Sequence, residues 1–458
     1  MDKNNGAIYD ARKLGKPKMI ILGIQHMFAM FGATILVPII TGLDISTTLL
    51  MAGLGTLLFH CITKFKVPAF LGSSFAFLGG YAAIKALSPD DPNSMLPYAC
   101  LGVACAGLVY FILAAIIKAV GIDKVMRFFP PVVTGPIIIA IGLGLAPSAV
   151  SNCTTNWLLA VVALAVIVVF NIWGKGMAKI IPIILGLLIS YGVGLVLYFI
   201  SQANPDLIQN VPWLFSGGAD ANGVYQPIFD FTSVNTICDN IAKGNIFGSE
   251  GLIGIPIHWE KTVFGGIDYS NTALIASSII AIVPIAFATM MEHIGDICAI
   301  SSTTGNNYIQ DPGLHRTLTG DGLATTVASL FGGPANTTYG ENTGVLALTK
   351  VYDPRVIRIA AFFAVGVSFF PSVSASIGSI PSCIIGGISF VLYGMISAIG
   401  VRNVVENKVD FTKSRNLIVA AVILVCALGL SSDTVSFAIG SATITLSPLA
   451  VASIAGIV

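Results

Sequence analysis

The chain has 458 residues, of which 55% are hydrophobic and only 10% charged. Soluble domains carry about 25% charged residues, so too little charge is present to cover a water-exposed surface, and a soluble fold is excluded. A formal net charge of +1 excludes a general electrostatic pull on nucleic acid, which is not expected as a partner.

The first 18 residues are polar and basic, and the apolar run after them continues into Pro38 with no signal-peptide cleavage pattern, so it reads as a first membrane span. A span needs about 20 apolar residues. Candidates lie at 19–40, 47–63, 67–87, 96–119, 130–147, 156–174 and 179–200. A polar loop covers 201–270, and further candidates follow at 271–297, 320–333, 335–352, 355–371, 375–399, 415–431 and 436–456. The expectation is an all-α polytopic membrane protein with seven spans on either side of the loop.

Charge placement supports this count, because cytoplasmic loops collect Lys and Arg. With the N-terminus inside, all of the 23 basic residues except Lys85, Lys243 and Lys261 fall on the inner side. One missed span would scramble that segregation, so the count is even and both termini are expected in the cytoplasm. The 201–270 loop holds Asp206, Asp220, Asp230, Asp239, Glu250, Glu260 and Asp268 against two lysines, as an outer loop should.

The two halves echo each other. Span three opens Pro68-Ala69-Phe70-Leu71-Gly72-Ser73-Ser74-Phe75 and span ten opens Pro334-Ala335-Asn336-Thr337-Thr338-Tyr339-Gly340; both then turn apolar. Paired interrupted segments in corresponding positions point to a transporter binding site between inverted repeats. An odd number of spans per repeat inverts the second half. Close packing of small residues would give a similar pattern, but Asn336, Thr337, Thr338 and Glu341 are more polar than packing requires.

Three acids read as intramembrane: Glu292, Asp296 and Glu341. A carboxylate at mid-membrane costs about 2.5–3.5 kcal/mol on insertion scales and is a functional candidate by default. Glu292 and Asp296 are four apart and share a helix face, while His293 falls one residue off it. His26 reads as a structural hydrogen-bonder. The eight cysteines show no metal spacing, and a disulfide between Cys153 and Cys238 stays open. No Walker loop, nucleophile elbow or HExxH is present, so no enzyme activity, cofactor or metal is expected.

These residues resemble the nucleobase–ascorbate transporter family over essentially the whole chain. The resemblance is carried by Gln25-His26, by Leu71-Gly72-Ser73-Ser74-Phe75-Ala76-Phe77, by Pro130-Pro131-Val132-Val133-Thr134-Gly135-Pro136 and by Glu292-His293-Ile294-Gly295-Asp296. The signature is Glu341-Asn342-Thr343-Gly344-Val345-Leu346-Ala347-Leu348-Thr349-Lys350, flanked by Gln310-Asp311-Pro312-Gly313. It implies fourteen transmembrane segments in two inverted seven-span repeats, with short broken-helix strands in spans three and ten. It implies a core domain (1–125 and 271–371), a gate domain (126–200 and 372–458), the extracytoplasmic loop 201–270 and a homodimer in a bacterial inner membrane.

The resemblance also implies site roles. Glu292 and Glu341 would bind a nucleobase, the backbone of Phe75 and Gly340 would meet a ring carbonyl, and Ser74 and Tyr339 would stand beside them. Glutamate at the first signature position resembles the uracil-transporting members, so the implied function is uracil uptake by proton symport. Glu292, Asp296 and His293 are the coupling candidates. Those members carry histidine where this chain has Asp296; two carboxylates there could share a proton, and sodium coupling stays open. The alternatives are a xanthine or purine carrier of the same family and an anion transporter of related fold.

Overall fold

Inside a bilayer every backbone polar group must find a partner within the protein, which leaves helices as the main spanning element. The computed structural model describes residues 7–121, 124, 130–220, 222–430, 436–439, 442–445 and 448–457. In chain order the main elements begin with α1 (Lys16–Thr41), α2 (Ile45–Ile62), β1 (Leu71–Ser73), α3 (Leu78–Lys85), α4 (Leu96–Val120), α5 (Pro131–Cys153), α6 (Trp157–Trp173) and α7 (Pro182–Ala203). The loop region holds β2 (Ser216–Ala219), β3 (Tyr225–Pro227) and α8 (Thr232–Ala242). Then come α9 (Thr272–Ile282), α10 (Ile285–Thr304), α11 (Leu314–Leu330), β4 (Asn336–Thr338), α12 (Gly340–Thr349) and α13 (Pro354–Ser368). The chain closes with α14 (Pro371–Gly378), α15 (Ser382–Glu406), α16 (Ser414–Gly429), β5 (Ser436–Ile439), β6 (Ala442–Thr445) and α17 (Pro448–Ile457).

The protein is therefore an all-α polytopic membrane protein, and each of the fourteen apolar stretches contains helix. Seven of the described helical segments are individually long and apolar enough to cross a membrane. The others are short, bent or interrupted. Proline accounts for several of the interruptions, since it lacks the N–H and cannot continue the ladder. Pro284 stands at the junction of α9 and α10, which together make one of the seven, Thr272–Thr304, and Pro371 opens α14 soon after α13 ends. The last stretch departs most from expectation. Where 436–456 reads as one span, β5 and β6 pair antiparallel and only α17 is helical. The β-branched run Thr443-Ile444-Thr445 favours a strand there.

The chain divides into two compact units, Met1–Ile141 with Ile257–Ser368 and Ile396–Val458, and Gly142–Pro256 with Phe369–Met395. In the first unit, small residues bring the helices together. A Cβ on Gly322 of α11 would lie 2.4 Å from Tyr110 Cβ and 2.6 Å from Gly107 O of α4, so these helices touch backbone to backbone. Such contacts are how membrane helices associate without a hydrophobic drive between them. Thr326 Oγ1 donates to Ala104 O at 3.2 Å across the same seam. In the second unit α6 packs on α7, and the loop covers them with an aromatic cluster in which Phe229 and Phe231 stack with centroids 5.2 Å apart. All eight cysteines, Cys153 and Cys238 included, are unbridged.

Candidate functional site

The interruptions in spans three and ten meet. β1 and β4 pair antiparallel, with Leu71 opposite Thr338, Gly72 opposite Thr337 and Ser73 opposite Asn336. Ser74 N donates to Ala335 O at 2.9 Å and Tyr339 N to Phe70 O at 3.0 Å, which extends the ladder at both ends. Each strand supplies the partners that the other loses by leaving the helix, and this satisfaction is what permits non-helical backbone at membrane depth. Scaffold helices brace the pair. Leu71 N donates to Thr56 Oγ1 at 2.9 Å, and Asn336 Nδ2 donates to Met51 O at 2.9 Å. The polarity of Asn336 is thus spent partly on the frame.

Two half-helices start where the strands stop. α3 begins after Phe77 and α12 after Tyr339, and neither N-cap residue makes a side-chain capping bond. The first N–H groups of a helix have no intrahelical partner, and the macrodipole makes that end positive. Both starts offer donors to a ring carbonyl or an anion. Tyr339 lies over β1: a Cβ on Gly72 would lie 2.5 Å from its ring, and its hydroxyl donates to Ser73 O at 3.0 Å. Thr34 Oγ1 of α1 donates to the same hydroxyl at 3.3 Å. Ser74 is buried, and among the described residues its Oγ has no hydrogen-bond partner. Phe75 beside it is also buried.

The acids on α10 follow the helical period. Glu292 and Asp296 are partly accessible, whereas His293 between them is fully buried. A Cβ on Gly340 would lie 3.8 Å from Asp296 Oδ1, so Asp296 stands at the start of α12. Thr338 Oγ1 donates to Asp296 Oδ2 at 2.8 Å. His293 Nδ1 lies 3.5 Å from the same Thr338 Oγ1 and 3.3 Å from Asp321 Oδ2. A line of polar groups therefore runs from accessible Asp296 through Thr338 and His293 to buried Asp321. The backbone of Glu341 occupies the first turn of α12; its side chain lies outside the described residues.

Asp321 is the residue that sequence reasoning misses. The expected span 320–333 puts it at a membrane boundary, but α11 starts a full turn and more earlier at Leu314, and Asp321 is fully buried in it. The signal was present in a histidine one residue off the Glu292/Asp296 face, which needs a partner on another helix. Elsewhere, Asn342 Nδ2 donates to His26 O at 3.2 Å, joining the signature to α1. Among the described residues no group of three or more His, Cys, Asp or Glu could hold a metal ion.

Short strands paired where two helical segments break off, with the start of α12 beside Asp296, are the arrangement of a secondary transporter. The chain belongs to the Permease family, whose profile matches residues 17–435. It is a permease and not an enzyme. It is 38% identical to the uracil permease of Bacillus caldolyticus over 419 residues, covering 90% of this chain and 85% of the relative. It is 37% identical to the uracil permease of Bacillus subtilis (strain 168) over 452 residues, covering 96% and 91%. The fold is similar to the transmembrane domain of a cyanobacterial bicarbonate transporter, with a TM-score of 0.64 over 92% of this chain and 97% of that one, at 14% identity.

Proposed function

We propose that the chain imports uracil by proton symport, with Glu292 and Glu341 as the substrate carboxylates. Supporting this is one arrangement: the start of α12 stands at Asp296 of α10, on the same helix face as Glu292, beside a strand pair bonded to Asp296 through Thr338. Uracil presents N–H donors and carbonyl acceptors on one ring. Carboxylates at 292 and 341 accept from the N–H groups, and the amides beginning at Phe75 and Gly340 donate to the carbonyls, with Ser74 and Tyr339 flanking the ring. The names of the curated relatives support the same substrate.

Proton coupling follows from the crowding of acids. Like charges held close in a poorly solvated site disfavour joint ionisation, so Glu292 and Asp296 hold a proton between them when the base binds. His293 and Thr338 connect that proton to Asp321. Transport proceeds by movement of the core (1–125 and 271–371) against the gate (126–200 and 372–458), in a homodimer of the bacterial inner membrane with both termini cytoplasmic. An anion substrate fits less well, because Asp296 would repel it at the helix end. A purine or xanthine carrier is opposed by Glu341.

Replacing Glu341 with glutamine tests the substrate assignment. The variant is expected to reach the membrane, lose uracil uptake and gain no xanthine uptake. Retained uracil uptake, or a switch to xanthine, contradicts the assignment.

A further inference from the structure

The 201–270 loop carries an exposed apolar surface. Residues Gly244–Ile255 carry five bulky apolar side chains, Ile246, Phe247, Leu252, Ile253 and Ile255, and every one is exposed. Phe247 is 79% and Ile255 76% exposed. Scattered exposed apolar residues need no explanation, but a contiguous set marks an interaction site. Glu250 is the single charged residue of the segment.

The segment is a built structure. Gly248 N donates to Ile253 O, and Ile253 N to Ile246 O, both at 2.9 Å. Asn240 Nδ2 of α8 lies 3.3 Å from Glu250 Oε2 and holds the one charge against the helix. Its inner side is backbone: a Cβ on Gly254 would lie 2.8 Å from both Gly248 O and Pro371 Cγ. With glycine filling the inside, the apolar side chains point outward.

Its anchor fixes its depth. Gly254 N donates to Phe369 O at 2.9 Å, and α8 packs on α14. Phe369 lies at the end of the apolar stretch 355–371, the end that the span count places on the same side as the 201–270 loop. The tip is therefore held where that apolar stretch ends, beside Phe369 and Phe370, which are themselves exposed. Apolar and aromatic side chains at that level favour the headgroup–acyl boundary. A stable protein interface buries about 800 Å² per partner, more than five side chains on one tip supply. We infer that Gly244–Ile255 is an interfacial anchor whose Phe247 and Ile255 insert into the acyl-chain boundary of the bilayer.

The test introduces Phe247→Trp and, separately, Ile255→Trp into the full chain reconstituted in phosphatidylcholine vesicles. Emission added over the parent protein is compared with that in the same lipid brominated on its acyl chains. The anchor requires that the added emission be blue-shifted, lost in brominated vesicles and unaffected by aqueous iodide. Emission quenched by iodide and untouched by bromine places the tip in water and overturns the inference. Emission insensitive to both means that protein, such as a second copy, covers the tip, and overturns it equally. The second variant decides the matter if the first does not fold.

Discussion

Thr338 and Asp296 are joined by a hydrogen bond of 2.8 Å that ties the short strand of span ten to the acidic face of span eight. Thr338 also stands 3.5 Å from His293, so one hydroxyl touches two titratable groups. A hydrogen bond to a charged group contributes about 1.5–3 kcal/mol. Thr338→Val is therefore expected to lower uracil uptake by about tenfold or more. Asp296→Asn keeps an acceptor for Thr338 but cannot ionise. It is expected to retain uracil counterflow and to lose accumulation driven by a pH gradient. Wild-type accumulation by Asp296→Asn would remove Asp296 from the coupling path.

His293 and Asp321 form a buried pair at 3.3 Å, both without solvent exposure. Removing one member of a buried pair costs about 3–5 kcal/mol, whereas replacing both with apolar residues is often neutral. Asp321→Leu is expected to lower the melting temperature of the purified protein sharply, and His293→Leu combined with it to recover most of that loss. Additive losses in the double variant would show that the two residues do not act as a pair.

Most of the scaffold is legible in the sequence because hydrophobic run length and basic-residue placement report directly on membrane crossing. The breaks in spans three and ten were visible as Pro68 and Pro334 followed by small polar residues. Their pairing follows from the need to satisfy backbone at that depth. The Glu292/Asp296 face was readable from the helical period. Asp321 was not, because hydropathy locates a polar helix such as α11 poorly and shifts its apparent start by several residues. The strand pair at 436–445 was hidden by an apolar composition shared by helices and strands alike.

Gly72 has no room for a side chain, since a Cβ there would lie 2.5 Å from the Tyr339 ring and 2.8 Å from Thr34 Oγ1. Overpacking of a tight site costs about 1–3 kcal/mol. Gly72→Ala is expected to displace Tyr339 and abolish uptake while the protein still reaches the membrane. Gly366→Ala on α13, where among the described residues no atom outside the local helix backbone lies within 4 Å of the added carbon, is expected to transport normally. Equal activity of the two variants would contradict the tight seating of Tyr339.

The N-terminal segment carries its own pH dependence. Ile8 N donates to Lys350 O at 2.8 Å, Ala11 N donates to Asp353 Oδ2 at 2.7 Å, and Arg355 pairs with Asp10 at 2.9 Å. The Arg12 guanidinium, hydrogen-bonded to Asp10, holds the Asp10 carboxyl well below the usual carboxylate range. A group whose pKa is depressed on folding contributes stability that is complete above its ordinary pKa and is lost as pH falls toward the folded value. The segment is expected to stay docked at neutral pH and to loosen only below about pH 4. Hydrogen exchange at the amides of Ile8 and Tyr352 across pH 3–7 reads this directly. Asp10→Asn should exchange faster throughout the range; unchanged protection would separate Asp10 from the docking.

The most direct test is accumulation of labelled uracil in proteoliposomes, with an imposed pH gradient, no sodium and xanthine as competitor. Uphill accumulation that a protonophore abolishes and xanthine leaves unchanged is the expected result. Accumulation that requires sodium, or that xanthine blocks, would contradict proton-coupled uracil transport.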